Sequence, residues 1–198
     1  MGLDFDFIDG QTPLDEDEKE GLLITTITTR AELDEFEQLG VEKANEWLLS
    51  KRFELNKILT ENFIRDLHKR MFGDIWEWAG EFRKTNKNIG VDKFEIGIEL
   101  KKLLDDCKFW IDNKIFAEDE ISVRLSHRIV SIHPFANGNG RHSRLLADVL
   151  INKGFGKQYF TWGSCNLANK SEVRSEYLAA LKDADQLNYK SLVKFARS

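Results

Sequence analysis

Within twelve residues, HPFANGNGRHSR at positions 133–144, the chain sets a histidine, two glycines bracketing an asparagine, and two arginines three residues apart. Gly138 and Gly140 permit positive φ and let a ligand come close to the backbone. If a helix starts here, its first N–H groups and its dipole form a concavity that suits an anion. Arg141 and Arg144 then lie on one side of that helix. Their planar forks match phosphate oxygens, and Asn139 adds a neutral amide. This is phosphate-binding chemistry without the lysine or the preceding strand of a P-loop. His133, on the rim, is placed to take a proton from an attacking hydroxyl. The plainer reading is a turn in which His133 closes a helix. A histidine, a phenylalanine, Gly-Asn-Gly-Arg and a second arginine together are far more specific than a lone Gly-Asn-Gly.

The elements on either side must hold this loop. The run DEISVRLSHRIVSI, with Ile121, Leu125, Ile129 and Ile132 on one face, predicts a helix that ends near His133, because Pro134 pushes its predecessor out of the α region. GRHSRLLADVLINKG returns to helix as far as Gly154, with a wide apolar face of Leu145, Leu146, Val149 and Leu150. Earlier, Thr29 followed by Glu32 resembles a capping box, opening a helix with Leu33, Phe36, Val41, Ala44, Trp47 and Leu48 inward. A second helix runs from the cap Thr60 to Gly73. IELKKLLDDCKFWID is amphipathic, and SEVRSEYLAALKDAD and YKSLVKFAR supply two more helices. Between Gly73 and these, the NIGV step suggests a short hairpin. The expected fold is all-α with one small β-hairpin.

Composition limits the alternatives. The 198 residues fit one domain with a sizeable core. No stretch approaches the roughly 18 apolar residues of a membrane span, and the acidic start MGLDFDFIDG lacks a signal peptide's basic region. The expectation is a cytoplasmic protein with no membrane contact. Eight of the acids and one lysine fall in residues 1–20, so the rest is close to neutral and offers no basic stripe for direct nucleic-acid binding. Residues 1–24 are expected to form an acidic arm, 25–54 an N-terminal helix with a regulatory role, and 55–198 the main domain. Cys107 lies on an apolar stripe and reads as a core residue; with Cys165 it makes no disulfide framework. His68 and His142 fit exposed helix positions. His127 and His133 do not share a helix face, and no zinc-ligand spacing joins them.

The residues at 133–144 resemble the Fic (Fido) family, whose pattern is HxFx[D/E]GNGRxxR. His133, Phe135, Gly138, Asn139, Gly140, Arg141 and Arg144 match it, and the upstream MFGDIWEWAGEFR resembles the family's approach to its flap. The resemblance covers about residues 55–197. The whole chain, TPLDEDEKEGLL included, is similar to the subgroup called mobile mystery protein B, whose members are encoded beside a helix-turn-helix partner. The resemblance implies a Fic-type helical bundle with a β-hairpin flap. It also implies transfer of AMP from ATP to a Tyr, Ser or Thr hydroxyl of a target protein. His133 would be the base, and Asn137, Gly138, Asn139, Gly140, Arg141 and Arg144 would hold ATP. Phe135 would anchor the loop, and Asn88, Ile89, Gly90 and Val91 would form the flap that pairs with the target backbone.

Two positions depart from the family. Its acidic residue, which binds Mg²⁺, is Asn137 here, a neutral and weaker ligand, so the Mg²⁺ that the resemblance implies alongside ATP is expected to be held largely by the nucleotide's own phosphates. That leaves open transfer of another phosphate-containing group, or a catalytically weak nucleotide-binding module. The family's silencing [S/T]xxxE[G/N] helix is half matched by Thr28 to Glu32, with Leu33 in place of Gly or Asn. Glu32 is the inhibitory candidate, alongside a plain capping role, and Glu37 is a weaker candidate for the same job.

Overall fold

The computed structural model describes residues 16–164 and 170–198. Cys165, and the arm as far as Asp15, lie outside the described residues. In chain order the helices are α1 (Glu16–Glu20), α2 (Arg30–Leu49), α3 (Leu55–Ile58), α4 (Glu61–Phe72), α5 (Ile96–Asp112), α6 (Glu118–Ile132), α7 (Asn139–Val149), α8 (Lys170–Asp185) and α9 (Lys190–Ala196). Between α7 and α8 a π-helical turn covers Leu150–Gly154. No described helix is long and apolar enough to cross a membrane.

Local chemistry sets several of the boundaries. Thr29 accepts from the N–H of Glu32, and the Glu32 carboxylate accepts from the N–H of Thr29, completing the expected capping box. Thr60 caps α4 by accepting from the N–H of Phe63. Three acids, Glu118, Asp119 and Glu120, fill the first turn of α6 and favour its positive end. That helix stops at His133, as Pro134 requires.

The pair α6 and α7 is central. Helices α5 and α9 pack on α6, α4 on α7, α2 on α4, and α8 on α9. One large apolar core joins Leu33, Leu48, Leu67, Phe72, Trp76, Leu103, Ile129, Phe135 and Leu146, so it runs across residue 54 without a break. A smaller cluster of Ile151, Phe160, Ala184, Leu192 and Phe195 seats α8 and α9. Side chains such as Phe72, Trp76 and Phe135, at most 1% exposed, each contribute about 1.5–3 kcal/mol by leaving water.

Three expectations need correction, and the described end of the arm adds a contact. The buried stripe of α2 is Leu33, Glu37, Gly40, Ala44 and Leu48; Phe36 faces out, and a carboxylate sits at a core position. His68 and His142 are fully buried, because the inward stripe of α4 continues from Ile64 to His68, and His142 sits on the inner face of α7. The described end of the arm is docked. Leu22 bridges Trp76, the Trp78 indole donates to the carbonyl of Glu18 at 2.9 Å, and Glu18 pairs with Lys87 in a nearly closed site.

The β-hairpin is the third correction. Residues 84–93 form no strand ladder. Their backbone partners come from side chains, which compete with sheet pairing. Asn86 Oδ1 accepts from the N–H of Lys93 at 2.8 Å, and Asp92 Oδ1 from that of Phe94 at 2.9 Å. The Val91 N–H goes to the carbonyl of Ile132 at 3.3 Å, across to the end of α6.

Candidate active site

His133 is the C-cap of α6 and adopts the left-handed conformation, with φ 56° and ψ 60°. A non-glycine residue there is strained and must be held by its surroundings. One buried guanidinium does much of this. Arg83, 4% exposed, donates from Nε to the His133 carbonyl at 2.7 Å, from Nη1 to the Thr85 carbonyl at 2.7 Å, and from Nη2 to the Val91 carbonyl. Its own N–H donates to the Pro134 carbonyl at 2.9 Å. The start and end of the loop carrying Asn88, Ile89, Gly90 and Val91 are thus tied to the backbone of His133. At Gly90, φ is +100°, and a Cβ would come within 2.7 Å of the His133 Cβ, so the loop lies directly on the histidine. Nothing in charge pattern or periodicity marked Arg83; only the convergence of three carbonyls reveals it.

Burial pushes the His133 imidazole down to about 4, and the positive charges of Arg83 and Lys87 push the same way, against the Val130 carbonyl. At neutral pH the ring is therefore an uncharged base.

From Pro134 the chain turns inward. Phe135 is fully buried and stacks on His68 with ring centroids 3.8 Å apart. His68 Nδ1 accepts from the N–H of Gly80 at 3.0 Å, so its Nε2 carries the proton and donates to the Asn137 carbonyl at 3.0 Å. This histidine, expected on the surface, positions the motif loop. Asn139 also differs from expectation. It is 2% exposed, its Oδ1 accepts from the Phe135 N–H at 3.0 Å, and its Nδ2 donates to the Phe135 carbonyl at 2.7 Å. Its side chain clips the loop and is not offered to a ligand.

Gly138, with φ 78°, is the N-cap of α7. The first intrahelical bond is the one His142 donates to Gly138, so the N–H groups of Asn139, Gly140 and Arg141 precede it at the positive end of the helix. A Cβ on Gly138 would stand 2.5 Å and 2.7 Å from two ring carbons of Phe72. Gly138→Ala should therefore destabilise the fold by about 2–4 kcal/mol, from left-handed strain and overpacking together. Denaturant unfolding measures this; wild-type stability would mean that the Phe72 ring yields.

Arg141 and Arg144 line one cleft of about 680 Å³ together with His133, Asn137, Gly138, Asn139, Gly140 and Ile89. The same lining includes the apolar and aromatic side chains of Trp162, Val173, Tyr177, Leu178 and Phe195, together with Arg30, Asp34 and Arg174. The Arg144 guanidinium lies over the Tyr177 ring at 5.2 Å, and that of Arg141 over Phe72 at 5.1 Å. Of the flap residues only Ile89 reaches the cleft lining; Asn88 and Gly90 are exposed and Val91 is half-buried. His127 stays outside, tied to Asp185 at 2.8 Å and to the Tyr189 hydroxyl at 3.0 Å.

Glu32 does not reach either arginine. It is exposed, and its carboxylate accepts from the N–H groups of Thr28 and Thr29 at 2.8 and 2.9 Å, bonds that hold it below the usual carboxylate range. It is a capping residue. The acid that enters the site is Glu37, fully buried, which accepts from Arg141 Nη2, from Asn137 Nδ2 at 3.0 Å and from the Trp76 indole at 2.8 Å. The signal for it was present in the sequence: 33, 37, 40, 44 and 48 is a helical stripe with an acid inside it.

A chain with this cleft is similar to known proteins. Residues 58–151 match the family described as Fic/DOC. "Protein adenylyltransferase Fic" of Aedes aegypti is 26% identical over 152 residues, 70% of this chain and 30% of that protein, so the match takes in under a third of the relative's length. Among solved structures, BepC of Bartonella tribocorum with bound AMPPNP has a TM-score of 0.67 at 17% identity, covering 92% of this chain and 97% of that one. Fic-1 of C. elegans has a TM-score of 0.65 at 21% identity, over 90% of this chain and 51% of that one. At these identities the two structures establish the likeness of the fold.

Proposed function

We propose, from the match of residues 58–151 to the family described as Fic/DOC, that the chain transfers AMP from ATP to a hydroxyl of a target protein. One observation carries the reading: a neutral, buried histidine and two arginines at a helix N-terminus line the same cleft as the aromatic and apolar side chains of Trp162, Tyr177, Leu178 and Phe195. A polyphosphate fits the first part by charge and an aromatic base fits the second by its flat apolar faces.

In this reading the target oxygen forms a bond to the α-phosphorus while the bond from that phosphorus to the bridging oxygen breaks. Pyrophosphate leaves, and the hydroxyl proton passes to His133. The N–H groups of residues 139–141 and the forks of Arg141 and Arg144 stabilise the charge that builds on the phosphate oxygens. Asn88, Ile89, Gly90 and Val91 are the surface assigned to the target backbone. The protein target, with an exposed Tyr, Ser or Thr, and a helix-turn-helix partner remain parts of this proposal that rest on the sequence resemblance.

The donor set does not fit a dedicated Mg²⁺ site. Asn137 gives its amide nitrogen to Glu37, leaving one neutral oxygen, and the nearest carboxylate is held by three N–H donors. No group of three or more His, Cys, Asp or Glu among the described residues could hold an ion.

Incubation with a candidate lysate and ATP labelled at the α- or the γ-phosphate tests the reading. Label from the α position on protein is the expected result. Label only from the γ position would mean phosphoryl transfer, and bound nucleotide without labelled protein would mean a binding module.

A further inference from the structure

Glu37 sits where an apolar residue would be cheaper. Its neighbours along the stripe of α2 are Leu33, Gly40, Ala44 and Leu48, and none of its side chain is exposed. A buried carboxylate is costly unless charge and hydrogen bonds compensate it, and replacing such pairs by apolar residues is often neutral or stabilising. Its presence at this position calls for a reason other than stability.

That reason lies in what it touches. Oε1 takes the Trp76 indole and the Asn137 amide; Oε2 takes Nη2 of Arg141, a residue 104 positions away. The Arg141 guanidinium is thus gripped on one edge by a fixed carboxylate and on one face by the Phe72 ring, while about a quarter of the side chain is open to the cleft. A guanidinium has five N–H donors. Holding one edge leaves the remainder of the fork aimed at the phosphate site.

We propose that Glu37 is the positioning residue of the phosphate cradle: its buried carboxylate, delivered by α2, aims Arg141 into the cleft and makes an amide at position 137 necessary. The proposal rests on the nucleotide-transfer reading of the same site. A brake on Arg141 would have to be able to leave. Glu37 lies on the same buried stripe of α2 as Leu33, Ala44 and Leu48, which are part of the core, so the helix carries the carboxylate to Arg141 as a built-in part of the fold. The amide at 137 follows from electrostatics. An aspartate there would place a second carboxylate at hydrogen-bond distance from Oε1, where two like charges repel. Asn137 and Glu37 are a matched acid–amide pair, and the departure at 137 is the counterpart of the acid at 37.

The test uses the full chain and inorganic tripolyphosphate as probe, titrated by calorimetry, with a thermal melt to certify folding. Glu37→Gln, isosteric and neutral, should weaken binding about tenfold in the native background and leave it unchanged in an Arg141→Met background. Should Glu37→Gln fail to fold, Asn137→Asp pushes on the same carboxylate from the cleft side and should give the same dependence on Arg141. Tighter or unchanged binding in Glu37→Gln overturns the proposal, and so does an equal loss in the Arg141→Met background. Absence of tripolyphosphate binding by the native protein overturns it as well. AMP transfer is scored separately. The expected cycle without transfer would retain the positioning role and reject the transferase, and transfer without the cycle would do the reverse.

Discussion

If the proposed transfer takes place, replacing His133 by alanine should lower it by about 10²-fold or more, the usual scale for a general base, while ATP affinity should change little. The ring lies beside the arginine cradle without being part of it, so the loss falls on the chemical step. Incorporation of α-label against a parallel nucleotide titration measures both. Near-native turnover in His133→Ala would remove the histidine from the mechanism. The pH profile gives a second test. The acceptor is the neutral ring, so activity is lost as pH falls through the ring's pKa and is level above it. Burial, Arg83 and Lys87 put that value at about 4 in the free protein, well below the ordinary 6.5. An arriving triphosphate is strongly anionic and favours the protonated ring. The acid limb of kcat, which reports the bound complex, should therefore lie at higher pH than that of kcat/KM, which reports the free enzyme. Coincident limbs would mean that the nucleotide's charge does not reach the ring.

Replacing Arg83 by methionine should be as damaging for a different reason. Three carbonyls, of His133, Thr85 and Val91, lose a charged donor, and hydrogen bonds to charged groups contribute about 1.5–3 kcal/mol each. The fold should lose about 3 kcal/mol or more by denaturant unfolding, and transfer should fall by roughly 10²-fold as the strained His133 backbone and the loop above it drift apart. The sign of the pH effect separates this from general loosening. Arg83 lowers the pKa of His133, so its removal should move the acid limb of kcat/KM upward. Arg83→Lys keeps the charge but lacks the planar fork. It should restore the limb while leaving the KM for target protein raised. If both variants share the native limb, the charge of Arg83 is not felt at the histidine.

The local features of this protein were legible in the sequence because their causes are local. Thr29 with Glu32, and Thr60, announce helix starts through bonds that span three residues. Pro134 ends α6 by a clash with its own neighbour, and Gly138 opens α7 by a conformation it adopts freely. His133, Arg141 and Arg144 meet in one cleft because a helix end, a turn and a helix start within twelve residues leave them nowhere else to go. Long-range packing decided the rest. His68 looks like a surface residue until the Gly80 amide and the Asn137 carbonyl close on its two nitrogens. The flap loop follows Arg83 and the end of α6, so its Asn and Asp side chains take the bonds that a hairpin would have made. Glu32 and Glu37 are the same amino acid five positions apart, one on a cap and one in the core. Periodicity could assign Glu37 to the inner face. Only the fold could bring Arg141, Asn137 and Trp76 around it, because the stability of a buried charge depends on partners that no local pattern encodes.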